Sequence, residues 1–101
     1  MTRNTLPAAR PSVVDPTRAA DELITADLGR QLAHLELVVL EHARLDNSAQ
    51  YADARGRYAA HTERVAQLRR ELPDLVAARA ITRSTVAFRE ALVHAEYGGA
   101  A

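Results

Sequence analysis

The sequence predicts an all-α fold: an antiparallel three-helix bundle over about residues 16–45, 48–72 and 74–97, behind an extended N-terminal arm. Three observations lead there. Apolar residues recur at steps of three and four through most of the chain. The chain is 48% hydrophobic, but its aromatic residues are only Phe88, Tyr51, Tyr58 and Tyr97, so the core must be built from Leu, Val, Ile and Ala, which suits packed helices. Helix-starting chemistry at Asp15-Pro16 and helix-breaking chemistry at Asp46-Asn47-Ser48, Pro73-Asp74 and Gly98-Gly99 divide the chain into three long segments. At 101 residues there is material for one core.

Residues 1–14, MTRNTLPAARPSVV, carry Pro7 and Pro11 and no helical period, so they read as an extended arm. Leu6, Val13 and Val14 could anchor that arm to a neighbour. Asp15 is a suitable cap for the first helix, and Pro16 fits its first position because no donor is lost there. The run to Leu45 would be about 45 Å long, with Gly29 a tolerable interruption. Ile24, Leu28, Leu32, Leu35, Val39 and His42 form its main stripe. Ala33, Leu37 and Leu40 point the other way, so this helix is apolar on two sides.

The second segment has the cleanest pattern: Tyr51, Ala54, Tyr58, His61, Val65, Leu68 and Leu72 alternate three and four apart as in a coiled-coil seam. Opposite that seam, Ala52, Gly56 and Ala60 make a ridge of small residues that would let another helix approach closely. Gly56 costs about 1 kcal/mol relative to alanine inside a helix, which a close contact would offset. Pro73 disfavours helical geometry at Leu72, and Asp74 can cap a third segment with the apolar line Ala78, Ile81, Thr85, Phe88, Leu92 and Ala95. Thr82 to Val86 is weakly helix-forming, which leaves open one helix or two. Gly98-Gly99 ends the segment, and 98–101 reads as a flexible tail.

Charge is balanced, 13 arginines against 13 acids, and lysine is absent. GC-rich codons favour arginine over lysine, which points to a high-GC bacterium or its phage. The distribution says more than the sum. Residues 15–53 hold eight acids against three arginines, and residues 54–89 hold eight arginines against three acids. Complementary neighbouring helices are the preferred explanation, with a basic face for a phosphate backbone as the alternative. Without cysteine there are no disulfides, thiolate metal sites or thiol nucleophiles. No apolar run approaches membrane-spanning length, so the expectation is a cytoplasmic protein, or a virion-associated one if the source is a phage.

His34-Leu-Glu36-Leu-Val-Val-Leu-Glu41-His42 suggests a metal or proton-transfer site, but the spacing is wrong. Ligands on one helix must be three or four apart, and the residues so placed from His34 are Leu37 and Val38. His61-Thr62-Glu63 and His94-Ala95-Glu96 fail for the same reason, and Glu90 with His94 reads as a surface ion pair. His61, inside the second seam, reads as a hydrogen-bonded core histidine. Metal sites assembled from different helices are not addressed by spacing. Ser12, Ser48 and Ser84 lie in no strained nucleophile turn, and the four glycines make no phosphate cradle. No catalytic or metal residue and no cofactor is expected.

LPDLVAARAITRSTVAFREAL resembles the helix-turn-helix segment of bacterial repressors, Ile81 to Val86 being similar to the start of a recognition helix. The resemblance implies DNA contacts by Arg83, Ser84 and Thr85, with Arg79 beside them. It departs from the pattern at Val76 and Arg79, at Ala80 in place of the turn glycine, and at Arg89 where a buried side chain belongs. The preferred expectation is a non-enzymatic interaction protein that self-associates or binds a protein partner. Ala33, Leu37, Leu40, Ala52, Gly56 and Ala60 are its expected interface, and a DNA-binding regulator using residues 74–92 is the alternative.

Overall fold

The structure, a computed structural model, describes residues 15–97; the expected arm (1–14) and tail (98–101) lie outside the described residues. Three helices follow one another: α1 (Pro16–His42), α2 (Ala49–Glu71) and α3 (Asp74–Tyr97). α1 packs against both α2 and α3, whereas α2 and α3 hardly touch each other. The architecture is the expected all-α three-helix bundle, with α1 as its shared member.

α1 starts as the sequence requires. Asp15 is extended, and its carboxylate accepts a hydrogen bond from the Thr17 amide at 3.0 Å while Pro16 takes the first turn. It stops at His42 rather than near Leu45. Arg44 adopts a left-handed conformation, φ 62°, its amide donates to the Glu41 carbonyl and the Leu45 amide donates to the Leu40 carbonyl. Those two bonds are the Schellman pattern that closes a helix, with arginine in the position usually given to glycine. Ser48 then caps α2, its hydroxyl oxygen accepting from the Tyr51 amide at 3.1 Å.

Leu72 is extended, φ −112° and ψ 150°, as a residue before proline must be. Asp74 is the first residue of α3 rather than its cap; the Pro73 carbonyl accepts the Ala77 amide, and Asp74 places its charge against the helix N-terminal dipole. α3 is one continuous helix. The hydroxyls of Thr82 and Thr85 bond back to the Ala78 and Ile81 carbonyls at 3.0 and 3.1 Å, so these weak helix formers are satisfied within the helix.

The core is Ala19, Leu23 and Ala26 of α1, Val65 and Leu68 of α2, Leu72 of the connection, and Ala77 and Ala80 of α3. Ile24, Val76 and Ile81 pack at its edge. The α2 seam lies where expected: Ala54, Val65, Leu68 and Leu72 are buried, and Tyr51, Tyr58 and His61 half-buried. The expected α1 stripe does not. α1 buries Ala19, Leu23, Ala26, Ala33 and Leu40, its alanine-rich side, and leaves Leu32 and Val39 exposed. The α3 line is also displaced, from Ala78, Thr85 and Ala95 to Ala77, Ala80 and Ser84. Small side chains win in both cases because they bring the helix axes close, and steps of three and four fit either face.

Candidate protein-interaction surface

Ala33 and Leu40, expected to meet a partner, are 2% and 5% exposed, and Leu37 between them is half-buried. The chain covers them itself, so this part of the expected surface is corrected. Nearby, the α2 ring of His61 sits over Gly29 of α1; a Cβ built on Gly29 would come within 2.7 Å of that ring. Gly29, not Gly56, is the glycine that permits close approach. His61 is therefore held by packing, and among the described residues no hydrogen bond holds its ring. The α2 ridge is different. Ala52, Gly56 and Ala60 are all exposed, and nothing lies within 4 Å of a Cβ built on Gly56.

The largest apolar groups left outside are ones the sequence pattern assigned inward or passed over. Leu32 is 41% and Val39 56% exposed, and Leu75, Val86, Leu92 and Val93 of α3 are exposed as well. Ala91 and Ala95 are also exposed. Burial of large apolar side chains is favourable by about 25 cal/mol per Å². Leucine and valine thus stand exposed beside a core rich in alanine.

Charged side chains join α1 to α2. Arg57 Nη1 donates to Glu36 Oε1 at 3.0 Å and Arg64 Nη2 to Glu22 Oε2 at 2.5 Å, which realises the acidic-against-basic complementarity between these two helices. Arg57, with Gln50 beside it, holds the Glu36 carboxyl below its ordinary pKa; the same bonds raise Arg57 and Arg64. Tyr51 donates to Glu41 at 2.6 Å, and that bond to the neutral phenol raises the Tyr51 pKa. The remaining ion pair among the described residues is Arg30–Asp27 within α1, so Glu90 and His94 do not form the expected pair.

The α1–α3 contact is polar at its centre. Asp27 and Ser84 are buried and joined by a short hydrogen bond from the serine hydroxyl. Gln31 Nε2 donates to the other side of the same pair, 2.9 Å to Asp27 Oδ2 and 3.3 Å to Ser84 Oγ, while Arg30 Nε donates to Asp27 Oδ1 at 2.9 Å. Every oxygen of the carboxylate is satisfied, as burial demands. Ser84 therefore belongs to the core and not to a DNA-reading face, and Thr85 is half-buried. Nor does α3 contain the turn that the repressor resemblance implies. Arg79 and Arg83 are exposed. Sequence reasoning missed the Asp27–Ser84 pair, which lies 57 residues apart and leaves no local signature.

Because α2 and α3 diverge, a cleft of about 500 Å³ lies between them, floored by Asp27 and Arg30 and walled by Tyr58, Val65, Arg69 and Ile81. Among the described residues no three of His, Asp or Glu converge as a metal site, and no helix is long and apolar enough to cross a membrane. No family model matches the chain, and comparisons with curated proteins and with solved structures find no match.

Proposed function

We propose that the chain is a non-enzymatic helical interaction protein that self-associates: an adaptor, assembly factor or structural subunit of a larger complex, working in the cytoplasm or, if of phage origin, in a virion. The supporting observation is the placement of apolar groups on α1, with alanines packed inside while Leu32 and Val39 stand outside. The open Ala52–Gly56–Ala60 ridge on α2 offers a second, separate place for a helix to approach. The experiment is sedimentation velocity on the purified chain over a range of concentrations, with mass measurement of whatever copurifies. A particle heavier than one chain supports the reading. A clean monomer at high concentration with no copurifying protein overturns it. The competing reading, DNA binding through α3, has the exposed Arg79 and Arg83 in its favour. Salt-dependent retention on duplex DNA that is lost in Arg83→Ala would put that reading first.

A further inference from the structure

Along α1 the residues Asp21, Leu28, Leu32, Leu35, Val39 and His42 form one line away from the core, which Ile24, also packed at the core's edge, continues. At 3.6 residues per turn, Leu28, Leu32, Leu35 and Val39 fall within about 60° of arc. α2 packs on the side of α1 that holds Gly29 and Ala33, and α3 bonds to the side that holds Asp27 and Gln31. Neither covers Leu32 or Val39, and Leu28 and Leu35 are only half-buried. Steps of three and four on a bare helix flank are what a second helix needs to pack knob into hole.

The line is nearly the same read in either direction. Ile24 and Val39, Leu28 and Leu35, and Asp21 and His42 are each equidistant from a midpoint between Gln31 and Leu32. Two antiparallel copies of α1 crossing at that midpoint would set Ile24 against Val39, Leu28 against Leu35, and Leu32 against its own equivalent, the isologous arrangement of a twofold dimer. The ends decide the direction. Antiparallel pairing sets the exposed Asp21 of one copy beside the exposed His42 of the other, an acid against an imidazole. Parallel pairing would set Asp21 on Asp21. His42 is exposed, and its Nδ1 lies 3.1 Å from the Val38 carbonyl oxygen.

We propose that two copies of this chain associate through α1, antiparallel, burying Leu28, Leu32, Leu35 and Val39 in one seam closed at each end by Asp21 and His42. This rests on the self-association in the proposed function and adds the surface and the orientation. A seam of about 22 Å is small, so the dimer belongs at the weak end of specific interfaces, on the order of micromolar.

The absence of cysteine makes the test direct. Leu32→Cys should link to itself under mild oxidation, because that position meets its equivalent. Leu28→Cys alone should not, since its equivalent would lie about 10 Å away along the axis, yet a mixture of Leu28→Cys and Leu35→Cys chains should cross-link. Leu32→Arg, at an exposed site with a good helix former, should keep the helical circular dichroism and weaken self-association about tenfold or more in sedimentation. An oligomer that survives Leu32→Arg overturns this surface and leaves self-association standing. Self-linking by Leu28→Cys overturns the orientation. A wild-type chain that is monomeric at every concentration overturns the dimer and the self-association it rests on.

Discussion

α2 and α3 grip the same helix by different means. Against α1, α2 runs a seam of Ala54, Val65 and Leu68, sets His61 over Gly29, and has its charges at the rim, in Arg57–Glu36 and Arg64–Glu22. α3 has alanines, Val76 and Ile81 at the core's edge and one polar knot, Asp27–Ser84–Gln31, and beyond Phe88 its described side chains are all exposed. Apolar contact is tolerant of small shifts, whereas a buried carboxylate needs its donors where they are. α2 should therefore be held broadly and α3 held at a point. That difference places the most vulnerable joint of the bundle at a single serine.

Ser84→Ala should show this with the largest effect. It removes one donor from the carboxylate of Asp27, a residue 1% exposed, at a cost of about 1–3 kcal/mol by urea unfolding. Hydrogen exchange should speed up in α3 while the amides of α2 facing α1 keep most of their protection. Equal loss of protection in both helices would show that the two contacts form one cooperative unit and that the contrast is wrong.

The two glycines sharpen the α2 side. Gly29→Ala pushes a methyl group into the His61 ring, and overpacking of this kind costs about 1–3 kcal/mol, against which improved helix propensity returns about 1 kcal/mol. Gly56→Ala meets nothing, so it should stabilise by up to about 1 kcal/mol. Denaturant midpoints should thus move in opposite directions or differ clearly between the two variants. Shortening the ring in a Gly29→Ala, His61→Ala chain should recover part of the loss. If Gly29→Ala alone is as stabilising as Gly56→Ala, the ring moves aside freely and the α1–α2 seam is looser than described.

The same contrast explains what could be read from the sequence. The three helices, the capping by Asp15, the turn at Asp46-Asn47-Ser48 and the break at Pro73 were legible because each depends on neighbours a few residues away. The α2 seam was legible because only one of its faces carries large apolar groups. α1 offers two faces, and periodicity favours the greasier one, Leu28 to Val39, for the core; the chain instead buries Ala19, Ala26 and Ala33, which allow closer helix approach. Its end near His42 was hidden for a different reason, since Arg44 rather than a glycine takes the left-handed cap position. As for the surface, the ridge at Gly56 is exposed, whereas the pattern alone places Leu32 and Val39 inside and Ala33 and Leu40 outside, the reverse of their burial.

The rim of the α1–α2 contact should give the smallest response and the clearest sign. Arg57 and Gln50 bond the ionised Glu36 carboxylate, so its folded pKa lies below its ordinary value. A group depressed on folding contributes stability at pH values above its unfolded pKa and loses it as pH falls through the folded one. The wild type should therefore be slightly more stable than Glu36→Gln at neutral pH, and the gap should close on acidification below the normal glutamate range. Salt should narrow the same gap at neutral pH, because the pair is at the surface and open to screening. Ser84→Ala, whose lost bond lies inside the protein, should show no comparable salt dependence. A gap for Glu36→Gln that is as large as that for Ser84→Ala, or insensitive to salt, would mean that the α2 contact is also held at a point, and the distinction between the two sides of α1 would fall.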